Sequence, residues 1–435
     1  MKYYSTNHKA PLATLREAVE RGLAPDRGLY MPERIEKLPQ DFYDNIQNMS
    51  FQELSLQVAQ AFFGEDVPMP DLKKIVYDTL AFDYPVKQVK SNVYSLELFH
   101  GPTMAFKDVG ARFMARMLSY FRQQEGAKGL VNVLVATSGD TGGAVANGFL
   151  GVEGVRVFVL YPKDKVSKIQ ESQFTTLGHN ITALEVDGVF DDCQRLVKSA
   201  FVDSELREAM TLSSANSINV ARFLPQAFYY FNAYAQLKRL GVDKNIVVCV
   251  PSGNFGNITS ALFARRMGLP ISRLIAANNA NDIFYQYLQT GKYNPRPSIQ
   301  TLANAMDVGD PSNFARILDL YQVQWEDIRH DISGAVVNDA TILRTIRECW
   351  QQNGYLLDPH GACGYQALIS GLEEGETGVF CETAHPAKFK ETVEKATGSD
   401  VKIPERLAAF MNKEKQSIPM TTDFADFKRF LLSQA

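Results

Sequence analysis

The sequence has few of the residues that mark metal proteins, disulfide-bonded proteins or membrane proteins. Its 435 residues include five cysteines and six histidines. No two cysteines form a C-x-x-C pair and no histidines show ligand spacing, so we expect no metal, and we interpret the cysteines as small buried apolar residues. No apolar run approaches the ~18 residues of a membrane span, and the first residues lack the apolar core of a signal peptide. We therefore expect a cytoplasmic protein with no membrane partner.

The chain also lacks an excess of positive charge. Its formal net charge is -4. A basic field that would attract nucleic acid is therefore missing, and no nucleic-acid partner is expected. An anionic small-molecule substrate would have to be held by local groups. Nothing in the composition indicates an oligomeric state.

What the chain does have is a regular alternation of short apolar runs and helical patterns. This alternation predicts an α/β protein with two open, mostly parallel sheet domains, preceded by an N-terminal domain. The predicted domains are residues 1–95, 96–215 and 216–435. Helices are predicted over 50–64 and 220–240, and strands over 131–136, 155–161, 181–186, 246–250, 273–277 and 378–382. In such folds ligands bind beyond the carboxyl ends of the strands.

One lysine lies in an unusual setting. Lys107 follows Met104, Ala105 and Phe106 and precedes an amphipathic helical pattern. Apolar neighbours and a helix start both disfavour an ammonium ion, and so favour a neutral amine that can form a Schiff base. The alternative is an ordinary lysine whose stem covers apolar surface while its charge stays in water.

The loop that follows the run 131–136 is rich in small and hydroxylated residues, ATSGDTGGAVA. Thr137, Ser138 and Thr141, with the backbone N–H groups around Gly139, are typical of a nest for an anion such as a carboxylate. The lysine of a nucleotide P-loop is absent. A plain turn before a well-capped helix is the alternative.

A second loop, VPSGNFGNITSA over 250–261, contains glycines that let backbone N–H groups approach a ligand closely. Gly253 and Gly256, with Asn257 as an expected cap of the helix beyond, suit a phosphate held without a lysine. A purely structural turn remains the alternative.

A third loop is CETAHPAKF over 381–389. Its Thr383 can donate a hydrogen bond to a ring nitrogen, although a threonine that faces the core is the simpler interpretation. A Schiff-base lysine, a carboxylate nest, a phosphate cup and a neutral donor to a ring nitrogen are together what pyridoxal 5'-phosphate requires. We therefore predict this cofactor, bound between the two sheet domains.

Six segments, in order along the chain, resemble the threonine synthase family, whose members use pyridoxal phosphate and have the tryptophan synthase β-subunit-like fold. The opening APDRGLYMPE also resembles the family's N-terminal domain. The six segments are ELFHGPTMAFKD, ATSGDTGGA, NSINVARFLPQ, PSGNFGN, LDPHGACGY and ETAHPAKF.

The resemblance implies a role for particular residues. Lys107 matches the lysine that binds the cofactor and shuttles protons, and Thr383 matches the hydroxyl that faces the pyridine nitrogen. The cofactor-phosphate loop is matched by Gly253, Asn254, Phe255, Gly256 and Asn257. The loop that receives the substrate carboxylate and flanks the ring hydroxyl is matched by Thr137, Ser138, Gly139, Asp140 and Thr141. Asp140 stands where related proteins often carry Asn, and its protonation state is open.

The resemblance also implies a reaction, the conversion of O-phospho-L-homoserine and water to L-threonine and phosphate by γ-elimination and β-hydration. The substrate phosphate needs a cationic clamp, for which Arg222 is the first candidate because its planar fork suits phosphate. The other candidates are Lys163, Lys165, Lys168 and Lys388. Two alternatives stay open. One is a pyridoxal phosphate-dependent amino-acid dehydratase or phospho-lyase of the same fold, and the other is a binding protein that has lost turnover.

Overall fold

The structure is a computed structural model and describes residues 1–126 and 129–435. The strands are β1 (Lys2–Ser5), β2 (Ala13–Thr14), β3 (Tyr30–Pro32), β4 (Val86–Lys90), β5 (Val93–Glu97), β6 (Val131–Ala136), β7 (Val155–Pro162), β8 (Ile181–Val186), β9 (Thr211–Ser214), β10 (Ile246–Pro251), β11 (Ile271–Asn278), β12 (Ile332–Val336), β13 (Thr377–Glu382) and β14 (Ile418–Met420).

The helices are α1 (Leu15–Arg21), α2 (Gln40–Asn45), α3 (Phe51–Phe63), α4 (Met69–Thr79), α5 (Asp108–Glu125), α6 (Asp140–Phe149), α7 (Lys168–Thr175), α8 (Phe190–Val202), α9 (Ser204–Ala209), α10 (Val220–Phe223), α11 (Ala227–Arg239), α12 (Gly256–Arg266), α13 (Ile283–Thr290), α14 (Phe314–Leu320), α15 (Trp325–Asp331), α16 (Asp339–Asn353), α17 (Pro359–Gly371), α18 (Lys390–Thr397), α19 (Glu405–Met411) and α20 (Phe424–Ser433).

Three sheets organise these elements. The N-terminal sheet has the order β2-β1-β3, the larger sheet β12-β11-β10-β13-β5-β4, and the smaller sheet β14-β8-β7-β6-β9. All neighbouring strands of the smaller sheet are parallel, and in the larger sheet only β4 runs antiparallel to its neighbour. The predicted fold of two mostly parallel sheets and an N-terminal domain is confirmed.

The strands form where the sequence is continuously apolar. Every residue of β6 and of β10 is buried, as expected for parallel strands that helices cover on both faces. The predicted strands 131–136 and 181–186 coincide with β6 and β8, and the other four begin and end within two residues of β7, β10, β11 and β13. The five cysteines are buried and free, which confirms their interpretation as small apolar residues.

The single helix predicted over 220–240 is wrong. The chain there forms α10, a 3-10 turn over Leu224–Gln226, and then α11. Pro225 lies in that turn. Proline has no backbone N–H and its ring crowds the preceding turn, so a regular α-helix does not continue through it.

The sheets do not follow the predicted domain boundaries. The boundary between residues 95 and 96 falls inside β5, which pairs with β13 in the larger sheet. At the other end of the chain, β14 pairs with β8, and α20 packs on α8 and α9 of the smaller layer. Both pairings join segments that are far apart in sequence. Within the described ranges, no helix is both long and apolar enough to cross a membrane.

Candidate active site

The loop that carries Lys107 is attached to the loop that carries Thr383. The N–H of Phe106 donates to the carbonyl oxygen of Thr383 at 2.9 Å, and the N–H of His385 donates to that of Met104 at 3.1 Å. These two bonds flank an antiparallel bridge between the loops. Two of the segments singled out in the sequence therefore lie side by side beyond the ends of β5 and β13.

A cavity opens where the carboxyl ends of β5, β6, β10 and β13 converge. The structure brings most of the predicted site residues to its wall: Lys107, Ser138, Thr141, Arg222, Gly253, Asn254, Phe255, Gly256, Asn257 and Thr383. Because these residues come from loops of the larger sheet and of the smaller sheet, the cavity lies between these two sheets.

Lys107 precedes the first residue of α5. Its Nζ lies 5.3 Å from the centroid of the Phe106 ring and forms no hydrogen bond or ion pair within the part of the chain that the structure describes. Burial lowers the pKa of Lys107 to about 8, with Arg222 adding to the fall and Asp140 opposing it. The lysine therefore presents a free amine that is partly neutral near pH 8.

The glycine-rich loop after β10 is packed too tightly for side chains at its glycines. A Cβ on Gly253 would lie 2.7 Å from the carbonyl oxygen of Ala305, and one on Gly256 would lie 2.9 Å from Cβ of Ser217. Between them Phe255 takes a left-handed φ of 64° at the N-cap of α12. Gly256 and Asn257, the first residues of α12, line the cavity, so the N-terminus of this helix lies at the cavity wall, and helix N-termini bind phosphate.

Two buried donors at the cavity lack acceptors among the described residues, namely Nε of Arg222 and Nδ2 of Asn257. The Oδ1 of Asn257 already accepts from the hydroxyls of Tyr229 and Tyr230, and Nη1 of Arg222 donates to the carbonyl oxygen of Ala215. Buried donors are rarely left without a partner. The cavity is thus suited to a ligand rich in acceptor oxygens, and the residues present fit a phosphorylated cofactor.

Thr137 and Gly139 shape the anion loop but do not line the cavity. The hydroxyl of Thr137 accepts from the N–H groups of Gly139 at 2.9 Å and of Gly142 at 2.8 Å. Gly139 has a φ of 142° and precedes α6. For Thr137 the arrangement matches the capped-turn alternative, whereas Ser138 and Thr141 face the cavity.

Asp140 and Lys388 lie beside the cavity and are closed to solvent. Nζ of Lys388 lies 2.6 Å from Oδ1 of Asp140 and donates to the carbonyl oxygen of Thr103 at 3.0 Å, while Gln170 donates to the same Oδ1 at 3.0 Å. Burial alone would raise the pKa of Asp140, but Lys388 and Lys107 outweigh it and hold this pKa at about 2. Asp140 is therefore ionised. Lys163, by contrast, is exposed after β7 and does not reach the cavity wall.

Sequence reasoning missed several residues of the cavity wall. Asn216 and Ser217 share a motif with Arg222, and that proximity was the available signal. His360 lies in LDPHGACGY; its Nδ1 is 2.5 Å from Oδ2 of Asp358, and its Nε2 accepts from the N–H of Ala305 at 3.1 Å. Ala305, Met306 and Val308 also line the cavity, but they belong to a stretch without a recognisable sequence pattern.

Comparison with known proteins decides the family. The model of the pyridoxal-phosphate dependent enzyme family matches residues 78–381, and the models of the threonine synthase N terminus and C-terminal region match residues 2–80 and 361–431. The chain is 44% identical to the threonine synthase of Haemophilus influenzae over 99% of this chain and 100% of that one, and 42% identical to that of Escherichia coli over the whole of both. The chain belongs to the threonine synthase family.

Solved structures of threonine synthases agree with this assignment. The E. coli enzyme superposes with a TM-score of 0.94 at 42% identity over all of both chains. The pyridoxal phosphate-bound threonine synthase of Brucella melitensis superposes with a TM-score of 0.91 at 35% identity, covering 100% of this chain and 99% of that one. Tomato threonine deaminase shares the fold alone, at 16% identity and a TM-score of 0.55 over 75% of this chain and 88% of its own.

Membership in the threonine synthase family confirms the resemblance that the sequence motifs showed. The chain is a pyridoxal-phosphate dependent lyase, and the predicted cofactor is confirmed.

Proposed function

We propose that this protein converts O-phospho-L-homoserine and water to L-threonine and inorganic phosphate. The observation that carries the proposal is that the half-buried amine of Lys107 lies in the same cavity wall as Arg222 and Asn257, each of which has a buried donor without an acceptor in the described ranges. Lys107 and Asn257 suit the aldehyde and the phosphate of the cofactor, and Arg222 leaves a further donor for a phosphate on the substrate.

The cofactor would be held by residues of the larger sheet. The loop Gly253–Asn257 and the N-terminus of α12 would take its phosphate. Thr383 would face its ring nitrogen, because its hydroxyl lines the cavity and forms no hydrogen bond within the described ranges. When bound, pyridoxal phosphate supplies an electron sink for negative charge on the carbon next to the substrate nitrogen.

Lys107 would move the protons. Its amine, once replaced by the substrate amino group, is free to take the α proton and later to return it. A pKa of about 8, set chiefly by burial, lets one group accept and release protons near neutral pH. Because Lys107 immediately precedes α5 and its loop is bonded to the Thr383 loop, the amine would stay within reach of the same carbon throughout.

The substrate anions would bind at separate places on the wall. Ser138, Thr141 and the N–H groups at the start of α6 would receive the carboxylate. Arg222, with Asn216 and Ser217, would receive the phosphate, since Nε of Arg222 is the donor without an acceptor. Lys163 and Lys388 are poorer candidates, because Lys163 is exposed and the charge of Lys388 is already balanced by Asp140.

The test is incubation of the purified, cofactor-loaded protein with O-phospho-L-homoserine. We expect threonine and phosphate in equal amounts. Formation of a 2-oxo acid and ammonia would instead support the dehydratase or phospho-lyase alternative and would contradict the proposal. A protein that binds the substrate without forming either product would support the loss of turnover.

A further inference from the structure

Two further cavities lie on the side of the N-terminal domain, and one of them adjoins the site cavity. The nearer one, of about 540 Å³, shares Asn216 and Asn254 with the site cavity. The outer one, of about 640 Å³, shares Leu23, Arg27, Phe201 and Val202 with the nearer one. The nearer cavity thus has wall residues in common with both the outer cavity and the cavity that contains Lys107.

The charged residues on the walls of the two added cavities are mostly positive. They are Arg21, Arg27, Lys198 and Arg207, with Asp310 as the single acid. The carboxylate of Asp310 accepts from the hydroxyl of Tyr293 at 2.7 Å, and Arg21 pairs with Glu17 at 3.3 Å. In a chain whose net charge is -4, this wall is a local exception.

Three of these cationic side chains are exposed to solvent and can interact with an anion. The side chains of Arg27, Lys198 and Arg207 are exposed and form no hydrogen bond or ion pair with residues in the described ranges. Arg27 has a left-handed φ of 68°, which costs free energy for a side chain of this size. Its turn is fixed by Asp26, whose carboxylate accepts from three backbone N–H groups. The guanidinium is therefore presented from a rigid turn.

The two residues that line both the nearer cavity and the site cavity differ in how strongly hydrogen bonds hold their side chains. The amide of Asn216 is bonded to both backbone groups of Ala136, at 3.0 and 3.3 Å. The side chain of Asn254 makes only one hydrogen bond in the described structure, at 3.4 Å from the N–H of Ser312. Of the two residues that line both cavities, Asn254 therefore has the less constrained side chain.

We propose that these cavities form the approach route of a phosphorylated amino-acid substrate, which Arg27, Lys198 and Arg207 attract and Asn254 admits. This inference rests on the proposed function. A substrate with a phosphate and a carboxylate is repelled by the net charge of the protein, and a local positive field raises its rate of association. Although Arg27 and Lys198 line the nearer cavity, most of its surface is apolar.

The first experiment measures the association rate constant by stopped-flow, from the change in visible absorbance when cofactor-loaded protein is mixed with O-phospho-L-homoserine. The variant Arg27→Gln/Lys198→Gln/Arg207→Gln is compared with Arg344→Gln, since Arg344 on α16 is also exposed and makes no ion pair within the described ranges. At low ionic strength we expect the triple variant to associate roughly tenfold more slowly, within the range known for electrostatic steering. The difference should vanish in ~0.5 M salt, where charges are screened within a few ångströms.

The second experiment blocks the route. Val202 is 49% exposed and lines both added cavities, so Val202→Trp should slow association at every salt concentration. Leu240→Trp is the control, because Leu240 is 61% exposed and is not among the residues that line these three cavities. At saturating substrate, the triple variant and Val202→Trp should both have the turnover number of the wild type.

The outcomes separate the two proposals. Equal association rates in the triple variant and Arg344→Gln, together with equal rates in Val202→Trp and Leu240→Trp, would overturn the route. If the wild-type protein associated with the substrate but formed no threonine, the proposed function would be overturned. The association rates of the variants and their controls would still test the route. A wild-type protein that does not associate with the substrate at all would overturn both.

Discussion

Lys388 and Asp140 form an ion pair, 2.6 Å long, from which solvent is almost completely excluded. Removing one member of such a pair leaves a buried charge without compensation. We expect Lys388→Met to lower the free energy of unfolding by about 3–5 kcal/mol, measured by urea denaturation. The double variant Lys388→Met/Asp140→Asn should recover much of this loss. An exposed-site control, Lys163→Met, should change stability by less than ~0.5 kcal/mol, and a Lys388 variant as stable as this control would contradict the interpretation.

Lys107→Ala should fold but should not bind the cofactor covalently. The side chain makes no hydrogen bond or ion pair among the described residues, so its removal costs little stability. The measurement is borohydride reduction of the pyridoxal phosphate-treated protein followed by peptide mapping. In the wild type we expect the reduced adduct at Lys107 alone, and in the variant none. A variant with normal threonine formation, or an adduct on another lysine, would remove Lys107 from its proposed role.

The reactivity of Lys107 should follow its lowered pKa. An amine is a nucleophile only when neutral, so attachment of pyridoxal phosphate to the cofactor-free protein should accelerate as pH rises and level off above about 8. The rate is measured from visible absorbance. Asp140→Asn removes the charge that raises this pKa, and should move the plateau to lower pH. A rate that still climbed toward pH 10.5, the ordinary lysine value, would show that burial does not act as inferred.

His360 should act by positioning the segment that supports the cofactor-phosphate loop. Its Nε2 accepts from the N–H of Ala305, whose carbonyl oxygen packs against Gly253. His360→Phe loses this acceptor, which corresponds to ~1 kcal/mol or a fivefold weaker cofactor affinity. The dissociation constant for pyridoxal phosphate is measured by absorbance titration. His360→Gln retains an acceptor and should recover part of the affinity; unchanged affinity in the phenylalanine variant would exclude the role.

Arg222→Lys should weaken the hold on the substrate phosphate while leaving the charge in place. A lysine cannot reproduce the planar fork of arginine, and Nε is the donor that lacks an acceptor. We expect KM for O-phospho-L-homoserine and the inhibition constant of inorganic phosphate to rise together, by roughly tenfold as for a lost charged hydrogen bond. The same substitution at Arg344 is the control. An unchanged inhibition constant of inorganic phosphate in Arg222→Lys would show that Arg222 does not bind the substrate phosphate.

The strands could be predicted from sequence because parallel strands buried on both faces are continuously apolar, as in Val131–Ala136. The glycine loop could be placed because it follows such a strand, and Lys107 because of its apolar neighbours and the amphipathic helical pattern that begins after it. The ion-pair partner of Asp140 could not be predicted from the sequence, since Lys388 approaches Asp140 only after the two sheets have assembled. The same holds for Thr137, whose hydroxyl turns into its own loop while the next residue faces the cavity. No local pattern distinguishes these orientations.

The pairing of Ile418–Met420 with the strand Ile181–Val186 has a consequence for synthesis on the ribosome. The other strands of the smaller sheet are complete at Ser214, yet the strand that covers this edge begins at Ile418. At ~5–20 residues per second, the intervening chain takes roughly 10–40 s to translate. Over that interval the nascent sheet exposes unpaired backbone groups to any neighbouring strand.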